Sequence, residues 1–173
     1  MCIRDRSTVE KTALADAEVE YQDHKSDTIY TSFKVKSSNL KDLVGSEIII
    51  WTTTPWTIPA NKALAFNESL DYVILEINDE GDFKNRKIVI ADALLESVVK
   101  ECELKEYKKI LTFKGKEFKN TICSHPFLNL GYGHDIPMLE ARFVTTEQGT
   151  GICLLYTSPS PRDATLSRMP SSA

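Results

Sequence analysis

The stretch that decides the fold of this chain is Trp51-Thr52-Thr53-Thr54-Pro55-Trp56-Thr57-Ile58-Pro59-Ala60-Asn61. It directly follows the apolar run Glu47-Ile48-Ile49-Ile50, which predicts a buried strand. Proline cannot donate to a β-ladder and disfavours helix at the residue before it, so we expect the strand to break into a fixed, extended loop. Threonine hydroxyls and freed backbone amides then form a polar pocket floor, with the two tryptophans as apolar walls.

The same stretch has a plainer interpretation, a turn preceded by edge-strand threonines, since threonine is common in strands. The full pattern, however, resembles the threonine-rich signature of the editing domain of isoleucyl-tRNA synthetases. Related valyl and leucyl enzymes carry an arginine-containing version of this loop, whereas Pro55-Trp56 is the isoleucyl form. A match that includes two tryptophans, two prolines and an asparagine is far more specific than a short glycine pattern.

The resemblance extends over residues 8–152. The motifs that recur in that family, in this order, are His125-Pro126-Phe127, Asp135-Ile136-Pro137 and Gly149-Thr150-Gly151. Upstream, residues 12–21 resemble the peptide that leaves the nucleotide-binding core of the synthetase and enters the inserted domain. The resemblance therefore implies a linker at residues 8–26 and an incomplete editing domain at residues 27–152.

The spacing of apolar residues predicts many short strands and one helix. Leu94, Leu95, Val98 and Val99 have helical spacing and predict a helix over residues 92–102. Turns are expected at residues 79–82 and at the glycine pair 149–151. We predict strands at residues 28–36, 47–50, 63–66, 71–78, 86–90, 109–113, 121–123 and 142–146. Many strands with one helix indicate a compact, β-barrel-like α+β domain, and the editing domain of class I synthetases is such a fold.

The composition limits the class of protein. The 173 residues suggest one domain, and the 42% hydrophobic content is enough for a core. A formal net charge of −4 argues against a general nucleic-acid-binding protein, but not against a pocket that receives only a tRNA end. No apolar run approaches the roughly 20 residues that span a bilayer. The four cysteines lack Cys-x-x-Cys spacing, so we expect no metal site and a reduced, cytoplasmic setting.

Both ends of the sequence differ from the rest. Residues 1–7 are short and charged, and residues 153–173 are rich in serine and proline without a period. They resemble translated adapter sequence at the edges of assembled reading frames, and the alternative is ordinary disordered tails. On either interpretation we expect the two segments to pack little against the domain.

The resemblance assigns roles to the threonine loop. Editing hydrolyses the ester between a wrong amino acid and the 3′ end of tRNA, and an ester needs only a positioned water and a polarised carbonyl. The resemblance implies that Thr52, Thr53 and Thr54 are catalytic and that Trp56, Thr57 and Asn61 bind the substrate. For Thr57 and Asn61 the alternatives are a turn residue and a helix cap.

Other titratable residues are weaker candidates. His24 lies in a polar linker, and His125 precedes a proline and is expected to be structural. His134 could form an acid–base pair with Asp135 or lie in a surface loop. The thiols of Cys102 and Cys123 are expected to be structural and not nucleophiles.

The sequence departs from the family after Ile152. The family continues with a histidine that helps form the amino-acid pocket and, further on, an aspartate that binds the substrate ammonium group. Here Cys153-Leu154-Leu155-Tyr156 follows, and the ATP-binding signatures of the synthetic site are also absent. We therefore expect a fragment that is inactive by itself and holds no cofactor.

The parent protein implied by the resemblance is a monomeric isoleucine–tRNA ligase that uses ATP and Mg. It acts in protein biosynthesis, and this region removes valine from the 3′ acceptor end of mischarged tRNA. No membrane or DNA partner is expected. Two rivals stay open, the valyl or leucyl homologue and a catalytically inactive tRNA-interaction module.

Overall fold

A computed structural model describes residues 11–12, 27–78 and 85–156 of the chain. Within these ranges the strands are β1 (Ile29–Ser37), β2 (Glu47–Thr52), β3 (Asn61–Phe66), β4 (Asp71–Ile77), β5 (Arg86–Ala91), β6 (Tyr107–Lys114), β7 (Ile122–Ser124), β8 (Asp135–Glu140) and β9 (Cys153–Tyr156). One α-helix, α1 (Leu95–Glu101), follows β5. Short 3₁₀ helices lie at Lys41–Leu43, Pro55–Ala60, Asp92–Leu94, Gly115–Phe118 and Leu128–Leu130.

Several predictions fall on other parts of the chain. The end segment 1–7, His24, the turn at 79–82 and residues 157–173 lie outside the described residues, as does the linker at 8–26 apart from residues 11–12. In the described part of the chain, no helix is long and apolar enough to cross a membrane.

The strands form one mixed sheet in the order β6-β4-β5-β2-β1-β7-β8-β3-β9. Two neighbouring pairs, β2–β5 and β3–β8, are parallel, and the other pairs are antiparallel. The predicted α+β fold is confirmed, but the sheet is open and not a closed barrel, because β6 and β9 are its two edges among the described residues. Most side chains of β6 are exposed, and its lysines protect this edge from pairing with another strand.

The core lies on and between the central strands. Most residues of β4 and β5 are buried, in unbroken runs of four, which is typical of strands covered on both faces. The aromatic rings of Phe66, Tyr72, Phe113 and Phe118 pack together, with Tyr72 and Phe118 edge to face at 4.8 Å between ring centroids. This cluster gives the sheet a rigid centre from which the loops at its ends project.

The threonine-rich stretch is more compact than the extended loop predicted for it. Strand β2 continues through Thr52, and residues Pro55–Ala60 then form a 3₁₀ helix. Pro55 suits the first helical position because its missing N–H is not needed there. The amide of Thr57 donates to the carbonyl of Thr54 at 3.0 Å, which closes the first turn. The expectation of an extended loop was therefore wrong, since proline only disfavours helix at the residue before it.

The strand predicted at residues 142–146 is absent. Residues 142–143 form a turn, in which Phe143 is exposed and Val144 is buried. The side-chain amide of Asn67 donates to the Val144 carbonyl at 3.0 Å, so tertiary contacts fix this segment as a loop. The alternation of apolar and polar residues there arises because Val144 is buried beside a turn, and not because the segment is a pleated strand.

Two strands that were not predicted lie later in the chain. β8 contains Pro137, and its parallel pairing with β3 begins at Met138, after that proline. β9 pairs antiparallel with β3, although residues 153–173 were expected to pack little. For Cys153–Tyr156 that expectation was wrong, because the open edge of β3 offers backbone partners and Leu154 packs against the core.

The helical prediction is confirmed with a changed beginning. Residues 92–94 form a 3₁₀ helix, and α1 continues from it to Glu101. Val98 is buried on the face of α1 toward the core. The hairpin of β4 and β5 is confirmed as well.

Candidate functional site

The threonine loop begins where β2 ends. Thr52 is 8% exposed, and its hydroxyl oxygen accepts from the backbone amide of Thr54 at 3.1 Å. The hydroxyl oxygens of Thr52 and Thr54 are 3.3 Å apart. Thr53 lies between them with an exposed side chain. The consecutive threonines are thus divided between an inward pair that bonds to itself and one outward hydroxyl.

Thr57 closes the loop from the other side. Its hydroxyl donates to the carbonyl of Thr54 at 2.8 Å, and the side chain is buried. This is the bond expected of a turn residue, the alternative considered for Thr57. The hydrogen bond and the burial hold the methyl group of Thr57 at a fixed position, which is compatible with a role in limiting a ligand's size. That role stays a prediction.

Asn61 is buried at the junction of the 3₁₀ helix and β3. Its side-chain amide donates to the carbonyls of Ala63 at 2.9 Å and Leu155 at 3.0 Å. Its side-chain oxygen has no hydrogen-bond partner within the described residues. Asn61 therefore ties β3 to β9, and the predicted substrate contact stays a prediction.

The two tryptophans have different surroundings. Trp51 lines a concavity at the end of β2, next to Gly149. Trp56 is 45% exposed, and it is not one of the described residues that line this concavity. Of the two predicted apolar walls, only Trp51 is placed beside the threonines in this structure.

The concavity has a volume of about 240 Å³. Thr52 and Thr53 form part of its lining, as predicted, but Thr54, of which the same was predicted, does not, and neither do Thr57 and Asn61. The other wall is the glycine turn that was predicted at residues 149–151. Within the described part of the chain, the lining consists of Trp51, Thr52, Thr53, Thr145, Gln148, Gly149, Thr150, Gly151, Ile152 and Cys153.

Sequence reasoning did not identify Thr150 as a site residue. Thr150 is 1% exposed and lies between Gly149 and Gly151, which have φ values of +79° and +73°. Its carbonyl accepts from the Ala91 amide at 2.9 Å, which fixes the turn to β5. The Gly-Thr-Gly pattern was used only as a turn and as part of the resemblance. A hydroxyl residue between two such glycines is the feature that could have identified it.

Two histidines hold the backbone of the threonine loop. His125 Nε2 is 2.9 Å from the Ile58 carbonyl oxygen, and His125 Nδ1 accepts from the Phe127 amide at 3.1 Å. These contacts require a neutral ring with its proton on Nε2. Burial, with smaller contributions from His134 and Lys62, lowers the pKa of His125, although the Ile58 contact opposes this. The predicted structural role of His125 agrees with this geometry.

His134 makes the second of these contacts. Its Nε2 is 2.8 Å from the Asn61 carbonyl oxygen, and its ring lies 5.0 Å from that of His125. Asp135 instead forms an ion pair with Lys36. The structure therefore does not show an acid–base pair of His134 with Asp135.

The three cysteines that the structure describes lack the properties of nucleophiles. Burial raises the pKa of Cys123 to about 12, and burial also raises the pKa of Cys102 and Cys153. Thiolate is therefore scarce at neutral pH. Nowhere in the described ranges do three or more His, Cys, Asp or Glu side chains gather in a way that could hold a metal ion.

The chain matches no protein-family model. It is 74% identical over 160 residues to the isoleucine–tRNA ligase of Pelagibacter ubique (strain HTCC1062), a match that covers 92% of this chain and 18% of that ligase. It is 43% identical over 160 residues to the isoleucine–tRNA ligase of Bartonella henselae, covering 89% of this chain and 16% of the ligase. The chain thus spans less than a fifth of the length of these relatives.

Solved structures agree with the fold. The crystal structure of GlLeuRS-CP1 matches 70% of this chain and 43% of its own, with a TM-score of 0.54 and 19% identity. The editing domain of the P. knowlesi cytosolic leucyl-tRNA synthetase matches 73% of this chain and 55% of its own, with a TM-score of 0.54 and 14% identity. At these identities the likeness concerns the fold alone, whereas the sequence relatives are the isoleucine enzymes. Over the matched stretch, this chain is homologous to the isoleucine–tRNA ligases and has the fold of the CP1 editing domains of class I synthetases.

Proposed function

We propose that residues 27–152 contain most of the editing site of an isoleucine–tRNA ligase, which hydrolyses the ester between valine and the 3′ end of tRNA. The observation that carries this proposal is the placement of the threonine loop. Thr52 and Thr53 lie at the end of β2 and line a concavity, in a chain that is 74% identical to such a ligase.

The chemistry explains why such a ligase needs a second site. Valine and isoleucine differ by one methylene, which is worth only ~1–3 kcal/mol in a hydrophobic pocket. A separate site that admits the smaller side chain and rejects the larger one multiplies that discrimination. An ester is already activated, so neutral hydroxyls that orient water and polarise the carbonyl suffice.

In this proposal the residues of the loop share these tasks. Thr53 and Thr52 line the concavity and contact the reacting groups, while Thr54 acts on them by fixing Thr52. Thr57 limits the amino-acid side chain. Trp56 contacts the terminal nucleoside with its exposed side chain, and the buried Asn61 supports that contact by fixing the end of the loop to β9.

The remaining properties concern the whole ligase. We propose that it charges tRNA with isoleucine in the cytoplasm as a monomer, with ATP and Mg bound outside this region. Its partner is the acceptor end of tRNA, and neither DNA nor a membrane takes part. These proposals follow from the kinship to isoleucine–tRNA ligases.

The experiment compares this chain with a grafted ligase. In the grafted ligase, residues 27–152 of this chain replace the matching stretch of the Pelagibacter ubique enzyme, whose own sequence continues after Ile152. We expect the graft to hydrolyse valyl-tRNA for isoleucine, and the 173-residue chain to do so at least ten- to hundredfold more slowly. The missing ammonium partner alone costs about 1.5–3 kcal/mol, and each 1.36 kcal/mol is about tenfold in rate.

A second candidate function is favoured by one observation. Strand β9 occupies the edge beside the loop with the sequence Cys153-Leu154-Leu155-Tyr156, where the resemblance implies a pocket histidine. A chain with this strand can retain the fold and bind a tRNA end without hydrolysing the ester. Binding of uncharged tRNA by the chain without hydrolysis, alongside an active graft, would show that the chain with β9 is such an inactive module, whereas an inactive graft would argue against the editing function of residues 27–152 themselves.

A further inference from the structure

Thr150 has a buried hydroxyl group with no hydrogen-bond partner among the described residues. The residue is 1% exposed, yet it belongs to the lining of the concavity that contains Thr52 and Thr53. Buried polar groups in folded proteins are nearly always hydrogen-bonded, and each exception calls for an explanation. At the wall of a concavity, the simplest explanation is a partner that arrives with the ligand.

The backbone around Thr150 is fixed on both sides. The Ala91 amide donates to the Thr150 carbonyl at 2.9 Å, and the Tyr72 hydroxyl donates to the Gly151 carbonyl at 2.8 Å. A Cβ atom on Gly151 would lie 2.4 Å from the Cβ of Ala91, so the turn lies directly on β5. Only rotation about χ1 is left to Thr150, and this rotation exchanges the places of its hydroxyl and methyl groups.

The other threonines near the concavity are already engaged or hydrated. The Thr52 hydroxyl accepts from the Thr54 amide, and the Thr57 hydroxyl donates to the Thr54 carbonyl. Thr53 and Thr145 are exposed to solvent. Among the described residues of the lining, Thr150 is therefore the threonine that is both buried and uncommitted.

We propose that the Thr150 hydroxyl positions the water molecule that attacks the ester, which rests on the proposed editing function. The water oxygen bonds to the carbonyl carbon, and the bond from that carbon to the ribose oxygen breaks. One water proton goes to the ribose oxygen, and the other leaves to solvent with formation of the carboxylate. Thr150 keeps its own proton throughout and acts by holding the water's orientation.

The test measures hydrolysis of valyl-tRNA by the grafted ligase carrying T150V, T150S or T112V. Valine keeps the shape of threonine without the hydroxyl, and Thr112 is an exposed threonine of β6 that is not among the residues lining the concavity. We expect T150V to lower kcat about ten- to hundredfold with KM unchanged, as for loss of one hydrogen bond to a reacting group. T150S, which keeps the hydroxyl, and the control T112V should hydrolyse at the unmutated rate.

The outcomes separate this inference from the function on which it rests. An unmutated graft without hydrolysis overturns the editing function, and this inference with it. An active graft in which T150V retains full kcat overturns the role of Thr150 alone, as does a raised KM at constant kcat, which would mean that the hydroxyl binds substrate. Thermal melting of T150V should match the unmutated protein, because no internal bond is removed. If T150V melts at a lower temperature, its own loss of activity is not informative, and the test is then the kcat of T150S, which keeps the hydroxyl. A lowered kcat of T150S overturns the proposal.

Discussion

His125 Nε2 lies 2.9 Å from the carbonyl oxygen of Ile58, which joins the segment after β7 to the 3₁₀ helix of the threonine loop. The other ring nitrogen accepts from Phe127, so the imidazole is uncharged and its tautomer is fixed. With the parallel contact from His134 to Asn61, the loop is held at two carbonyls three residues apart. The threonines therefore owe their position to residues that are far away in sequence.

Stability of the chain should fall as the pH drops below the ordinary histidine value. The pKa of His125 is lowered from 6.5 in the folded state, so the unfolded state binds the proton first. The stability that the protein gains from a neutral His125 is complete above about pH 6.5, and it is lost as the pH falls toward the folded-state pKa. Denaturant unfolding at a series of pH values measures the slope. H125Q keeps a donor near Ile58 but does not titrate, so the dependence of stability on pH should be flatter in this variant. An equal slope in both proteins would contradict the assignment of this dependence to His125.

Replacing Thr57 should alter the size limit of the site. In the grafted ligase, T57A removes the methyl and hydroxyl groups, and we expect correctly charged isoleucyl-tRNA to be hydrolysed as well. T57V is the matched control, because it keeps the bulk and loses only the hydroxyl bond to Thr54, worth about 0.5–1.5 kcal/mol. Deacylation of both charged tRNAs is measured. Cleavage of isoleucyl-tRNA by both T57A and T57V would mean that the bond, and not the bulk, sets the limit, and cleavage by neither would contradict the prediction.

A side chain at Gly151 should destabilise the fold. An alanine there has an unfavourable φ of +73°, and its Cβ would lie 2.4 Å from that of Ala91. We expect a loss of about 1–2 kcal/mol from the backbone and a further ~1–3 kcal/mol from crowding. Gly131 is the control, with a φ of +93° and no atom within 4 Å of an added Cβ. Urea unfolding compares G151A with G131A, and equal losses would show that crowding contributes nothing.

Asn61 should stabilise the attachment of β9. Asn61→Leu removes the donors to the buried carbonyl of Ala63 and the part-buried carbonyl of Leu155, and we expect a loss of about 1–3 kcal/mol, chiefly from the buried acceptor left unpaired. Amide exchange in residues 153–156 should accelerate more than exchange in β4. Unchanged protection of β9 in this variant would show that strand pairing alone holds it.

The loop motif and the central strands could be predicted from the sequence. Strands β1, β2, β4 and β5 lie within one or two residues of their predicted bounds, because the pattern of apolar residues in each strand follows the burial of its side chains. The specific threonine pattern by itself also indicates the family. Those features are local, so a short window of residues contains all the information they require.

Tertiary structure decided the features that depend on partners far along the chain. β8 and β9 form because they pair with β3. Residues 142–146 become a loop because Asn67 donates to the Val144 carbonyl and the Val144 side chain packs into the core. Neither the edge of β3 nor the Asn67 donor is visible within the segments themselves. The same holds for the site. The local sequence supplies the threonine hydroxyls, but only the folded sheet brings Thr150 beside them, because long-range strand pairing decides which loops lie next to each other.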